Sequence, residues 1–204
     1  MMKNTIKPII FNLDDVRRKA ESGDKFACYI LGRSYDSEEN GAKQSFEKAM
    51  YWYEKGKELG DPRCAYGVGA CYYFGDGVEQ DKQKAKQIHT EAYDPLLAII
   101  DKEQGNPRRQ AFSKFCLGAY YYFGFGNVEK DANRAFELIH DCAMQGHLPA
   151  IYDLGANFYY NGVGTEKSLK LSEYYLKMAA NAELPRAKAK FEQYKNIYES
   201  EIER

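Results

Sequence analysis

The chain is 204 residues long, 44% apolar and 29% charged, with 29 Lys and Arg against 30 Asp and Glu. A net charge of −1 lacks the basic surplus that a nucleic-acid backbone demands, and no run of about eighteen apolar residues offers a membrane span. One or two domains or a short repeat array fit these bounds, read as cytoplasmic, with neither nucleic acid nor membrane as partner.

The first element is weak. A short apolar patch, Pro8–Phe11, precedes Asp14, Asp15, Arg17, Arg18 and Lys19, which is no signal-peptide core. Residues 1–23 are predicted to form an N-terminal capping segment, with a helix from about Leu13 to Ser22.

Four segments then repeat one pattern: Ala27–Gly32, Cys64–Gly69, Ser113–Gly118 and Ala150–Gly155. Each reads small, any, aromatic, any, aliphatic, Gly. Three residues after each glycine stands another aromatic: Tyr35, Tyr72, Tyr121 and Phe158. The glycines are spaced 37, 49 and 37 residues apart, an array of period about 37 with an insertion of 12. Small, aliphatic, Gly and aromatic at these steps form one stripe of a helix, here called helix A. Small residues let a neighbouring helix approach, and the aromatic fills the space beside them. Pro62, Pro107, Pro149 and Pro185 precede successive A segments, where a missing N–H costs nothing.

Helix A ends at paired glycines, Gly75 and Gly77, Gly124 and Gly126, Gly162 and Gly164, which reverse the chain through positive φ. Without a following Gly-Lys-Ser/Thr or a preceding strand, these are not phosphate loops. Helix B follows. Ser45, Asp81, Asp131 and Ser168 occupy one equivalent position and are preferred N-caps. Behind them Trp52, Ile88, Leu138 and Tyr175 alternate with the smaller Gly56, Ala92, Cys142 and Ala179, as close helix stacking needs.

The insertion, near residues 94–106, begins at Asp94–Pro95, which is predicted to break helix B. Leu96–Ile100 then reads as an extra turn or short helix on the outer side. The last segment, 184–204, opens like another A helix with Pro185, Ala187 and Phe191 but has Glu192 where glycine would stand. It is read as a polar capping helix, which repeat arrays need at their ends.

The second copy carries Val68, Gly69, Tyr72, Gly75, Gly77, Val78, Asp81, Lys84 and Ala85. This pattern resembles the Sel-one-like repeats (SLR), relatives of tetratricopeptide repeats, over about residues 24–183. The third copy adds Asn127, the fourth has Phe158 for Tyr and a shifted glycine loop, and the first replaces the glycine turn with Asp36–Gln44. The resemblance implies an all-α fold: a superhelix, or solenoid, of about four helix-hairpin repeats that scaffolds protein partners. For a short stand-alone array it further implies a bacterial adaptor or a protein that neutralises a cognate toxin.

Chemistry is thin. Cys28, Cys64, Cys71, Cys116 and Cys142 form no CxxC pair and read as buried reduced thiols. His89, His140 and His147 lack metal-pair spacing and read as surface or turn residues. No catalytic residue, cofactor or metal is expected. Binding chemistry is richer. By analogy with tetratricopeptide geometry, the concave face carries Tyr29 and Arg33; Tyr66, Tyr73 and Phe74; Phe115, Tyr122 and Phe123; and Tyr152, Tyr159 and Tyr160. Tyr121 is expected to pack between repeats while Tyr122 faces the groove. Such aromatics suit a protein or peptide partner. The rival readings are a hydrolase of the cysteine-rich SLR type and a structural spacer in a larger complex.

Overall fold

The structure is a computed structural model that describes residues 6–202, and among the described residues all regular structure is helical. The chain divides into two compact units. One contains Phe11–Lys102 and Gly124–Glu129; the other contains residues 6–10, Glu103–Phe123 and Lys130 onward.

The first unit holds α1 (Leu13–Glu21), α2 (Lys25–Ser37), α3 (Phe46–Glu58), α4 (Pro62–Phe74) and α5 (Lys82–Lys102), each packed on the next. The second holds α6 (Pro107–Phe123), α7 (Ala132–Met144), α8 (Leu148–Asp153) with a π turn (Leu154–Tyr159), α9 (Leu169–Asn181) and α10 (Pro185–Ile202). Here α6 packs on α7, α8 lies against α7 and α9, and α10 packs on α9.

Local chemistry sets the boundaries. Ser45, Asp81, Asp131 and Ser168 each accept the N–H three residues on, from Lys48, Lys84, Arg134 and Leu171. The N–H groups of these caps in turn donate to the carbonyls of Tyr35, Tyr72, Tyr121 and Tyr159. Helix B therefore starts tied to the end of helix A. The turns from B to A repeat a Schellman pattern: Gly60 N–H bonds Lys57 O while Asp61 N–H bonds Gly56 O, and Gly146 and His147 do the same to Ala143 and Cys142.

Each anchor glycine faces one side chain of its B helix. A Cβ on Gly32 would run into the Tyr53 ring. One on Gly69 would lie 2.7 Å from His89, one on Gly118 2.9 Å from Ile139, and one on Gly155 2.8 Å from Leu176. The period of 37 thus has a packing cause: glycine lets one B-helix side chain lie flat against the A backbone.

Two expectations fail. Helix α5 runs unbroken through Pro95 to Lys102. Proline removes one helical hydrogen bond, but the fully buried Leu96 holds the next turn in place, and the insertion becomes two extra turns of helix B plus a tight turn. In that turn the buried Glu103 accepts Ser113 Oγ at 2.7 Å and Arg109 Nε at 3.0 Å. The second failure concerns register. In the fourth copy the carbonyl that receives the cap N–H lies four residues after the anchor glycine rather than three, and the π turn holds the extra residue inside the helix. Tyr159, not Phe158, then takes the role of Tyr72 and Tyr121, because Tyr159 O receives the cap N–H.

Candidate partner-binding surface

The A helices carry both the core and the exposed aromatic rows, and burial separates the two. In the first unit Tyr29 is fully buried, tilted against Tyr53 at 6.4 Å and lying under the Arg63 guanidinium at 5.7 Å. Arg33 is also buried and pairs with Glu39 at 2.6 Å. Tyr66 lies in the core beside His89 and Phe125, at 5.7 and 6.2 Å. These three are corrected from surface to core. Tyr29 and Tyr66, each three before its anchor glycine, lie on the flank that meets the neighbouring helices. In the second unit Phe115 is buried against His147 at 4.5 Å, and Tyr159 is buried, stacked on Tyr175 at 5.6 Å with the rings 2° from parallel. Both are likewise corrected, Tyr159 because of the π-turn register.

The remaining residues reach the surface. In the first unit Tyr73 is half-buried and Phe74 is 47% exposed. Their rings meet edge to face at 4.9 Å, and Lys82 Nζ lies 5.5 Å from the Tyr73 ring. Asp36 and Asp76 add acid: Asp36 faces Tyr53 Oη at 3.4 Å, while burial and then the Asp36 charge raise the Asp76 pKa. In the second unit Tyr122 and Phe123 are half-buried and meet edge to face at 4.8 Å. Burial, then Asp153, pushes the Tyr122 hydroxyl up. Tyr152 lies under the Arg186 guanidinium at 4.5 Å, and Tyr160 stacks on Tyr194 of α10 at 3.8 Å. The contrast expected between Tyr121 and Tyr122 is absent: both are half-buried, and the fully buried ring of this run is Tyr120.

Reactive groups are held inert. All five cysteines are free and buried. Burial drives the Cys71 thiol up to about 12 and raises those of Cys28 and Cys142. The histidines depart from the surface reading. His89 and His147 are fully buried and His140 is half-buried. His89 lies flat on Phe125, and burial lowers its pKa to about 4. His147 Nδ1 accepts Ala150 N–H at 3.3 Å as the N-cap of α8. Neither could be told from a surface histidine by local spacing, though His89 does occupy the position that Tyr53, Ile139 and Leu176 share. Among the described residues no three His, Cys, Asp or Glu side chains gather as metal ligands would.

This arrangement of hairpins, caps and glycine contacts has a counterpart in known sequences: the Sel1 repeat profile matches residues 25–61, 62–94, 115–147 and 148–184. The chain belongs to the Sel1 repeat family. It is 31% identical over 163 residues to chitin synthase regulatory factor 1 of Schizosaccharomyces pombe, an alignment covering 79% of this chain and 32% of that protein. The chain thus spans about a third of the length of that curated relative. Among solved structures it is similar to a Sel1 repeat protein from Oxalobacter formigenes (21% identity, 90% of this chain and 75% of that one, TM-score 0.45). Another is a Sel1 repeat protein from Klebsiella pneumoniae (16% identity, 89% and 82%, TM-score 0.44). No helix among the described residues is long and apolar enough to cross a membrane. In Sel1 terms, the resemblance drawn from the second copy holds for all four; the first and second matches meet at one B-to-A turn and the third and fourth at another, while the insertion leaves the second ending inside α5 and the third starting inside α6.

Proposed function

We propose that this Sel1 repeat chain is a non-enzymatic adaptor of the cytoplasm that holds a protein partner on the exposed aromatics of its A helices. The observation that carries the reading is a repeated pair. Tyr73–Phe74 ends α4 and Tyr122–Phe123 ends α6, with ring separations of 4.9 and 4.8 Å and interplanar angles of 80° and 74°. Rings braced edge to face lose little freedom on binding, and partly exposed Tyr and Phe supply large contact area. Tyr152 and Tyr160 extend the second pair. The carboxylates of Asp36 and Asp76 near the first favour a partner segment with a basic residue beside apolar ones. The relative named as a regulatory factor supports a role in regulating another protein rather than in catalysis.

The test is affinity capture from host extract with wild type, Phe74→Ala and Tyr122→Ala in parallel. One protein retained by wild type and lost from both variants, at unchanged melting temperature, is the expected result. Equal retention by all three would remove the aromatic pairs from the reading.

A further inference from the structure

Among the described residues, three Schellman turns between helices carry glycine at the positive-φ position, and one differs from the others in what covers it. Gly23, Gly60 and Gly146 share positive φ (94°, 75° and 86°) and the same backbone bonds. A Cβ added at Gly23 or Gly60 meets nothing within 4 Å, whereas one added at Gly146 would run into the Lys7 carbonyl oxygen. The Gly146 carbonyl accepts the Ile9 N–H at 2.7 Å. The Gly60 carbonyl, in the equivalent turn, accepts Lys25 Nζ at 3.1 Å. The turn carbonyl is therefore an outward acceptor in both repeats, and at Gly146 an irregular segment of the same unit fills it.

That segment is apolar: Ile6-Lys7-Pro8-Ile9-Ile10. Ile6 packs against the core cluster that contains Leu148 and Ile151. Ile9 is half-buried, Lys7 is exposed and Ile10 is 53% exposed. Gly146 itself is buried beneath the segment. One backbone hydrogen bond, one glycine with no room for a side chain and one apolar anchor three residues before the bonded amide hold this short segment on the turn.

We propose that the Gly146 turn is a receptor for an extended apolar peptide, filled in cis by residues 6–10 and open to exchange with a partner's segment of the same kind. The partner segment carries an aliphatic residue three positions before a residue whose amide bonds Gly146 O, and it tolerates proline between them. The site is separate from the aromatic pairs and does not rest on them. Its affinity is small, because one main-chain bond and one aliphatic side chain carry it. Tethering raises the effective concentration of the cis segment to the millimolar range, so the built-in occupant acts as a latch that a free peptide must outcompete.

The full chain, labelled with nitrogen-15, is titrated with an unlabelled peptide of the sequence of residues 4–10. At about millimolar peptide the Ile9 amide resonance is expected to move toward its position in the Ile6→Asp variant. In the Ile6→Asp/Ile9→Pro variant, which removes the anchor and the donor, a fluorescent copy of the peptide should bind about tenfold or more tightly than to wild type. Adding Gly146→Ala to that variant should abolish the gain, and adding Gly60→Ala should not. An Ile9 amide that is indifferent to millimolar peptide in the wild-type chain overturns the proposal whether or not the variants fold. Binding that survives Gly146→Ala overturns it as well.

Discussion

His89 lies flat on Phe125, with ring centroids 4.1 Å apart and planes 6° from parallel, and its edge fills the space that Gly69 leaves open. The imidazole occupies a position held in the other repeats by Tyr53, Ile139 and Leu176, and it behaves as a ring in the core rather than as a titrating surface group.

That placement makes the fold acid-sensitive. Burial lowers the His89 pKa from 6.5 to about 4 in the folded chain. The unfolded chain therefore takes up this proton first, and stability that is complete above the unfolded pKa is lost as pH falls from about 6.5 toward about 4. The loss by pH 5 is about 2 kcal/mol and approaches about 3 kcal/mol below the folded value. Urea unfolding of wild type and His89→Phe at neutral pH and at about pH 5 measures it. The wild type should lose about 2 kcal/mol more than the variant between the two conditions.

The anchor glycines should respond unequally to alanine. At Gly118 the added Cβ meets the far end of Ile139, which can shift, and the gain in helix propensity of about 1 kcal/mol offsets the crowding. At Gly155 it meets the Leu176 nitrogen and the Ser172 carbonyl, both at 2.9 Å, and backbone cannot step aside. Gly155→Ala is expected to cost about 1–3 kcal/mol and Gly118→Ala close to nothing, read as shifts in denaturant midpoint. Equal effects would mean that the glycines are not packing against their B helices.

Arg63 and Asp61 form a bidentate pair, Nε–Oδ1 at 2.9 Å and Nη2–Oδ2 at 2.7 Å, with both side chains fully buried. The guanidinium also lies 4.5 Å from the Phe26 ring centroid. Removing one partner strands the other charge in the core, so Arg63→Ala should destabilise by about 3–5 kcal/mol. The exposed Arg134–Glu137 pair provides the control, with a loss under about 1 kcal/mol for Arg134→Ala.

Stability and binding should separate within the aromatic runs. Tyr120 is fully buried, and Tyr120→Ala should cost about 3–5 kcal/mol. Phe74 is 47% exposed, so Phe74→Ala should leave thermal melting nearly unchanged while weakening partner capture by about 1–2 kcal/mol or more. A Phe74→Ala protein that melts like Tyr120→Ala would place Phe74 in the core of the fold.

The exposed caps offer a milder test. Asp81→Ala and Asp131→Ala each remove one side-chain acceptor from a helix N-terminus, for a loss of about 0.5–2 kcal/mol. Thermal melts of the two variants should shift by similar amounts.

The features legible in the sequence are those in which cause and effect lie within one repeat. Paired glycines reverse the chain because they accept positive φ, Ser and Asp cap because their oxygens reach an N–H three residues away, and small residues mark where helices approach. Period, hairpins, caps and family all follow from such neighbours. The tertiary structure alone decided which aromatics remain at the surface. Tyr29, Tyr66 and Phe115 lie on a flank whose burial depends on neighbouring helices, and one π turn moved Tyr159 inward and Tyr160 outward. It also decided that Leu96 would anchor a helix through Pro95, that His89 would stack on a ring from a distant loop, and that Ile9 would bond Gly146. The His89–Phe125 and Ile9–Gly146 contacts join residues far apart in sequence, whose pairing leaves no periodic trace because it depends on the packed positions of whole helices.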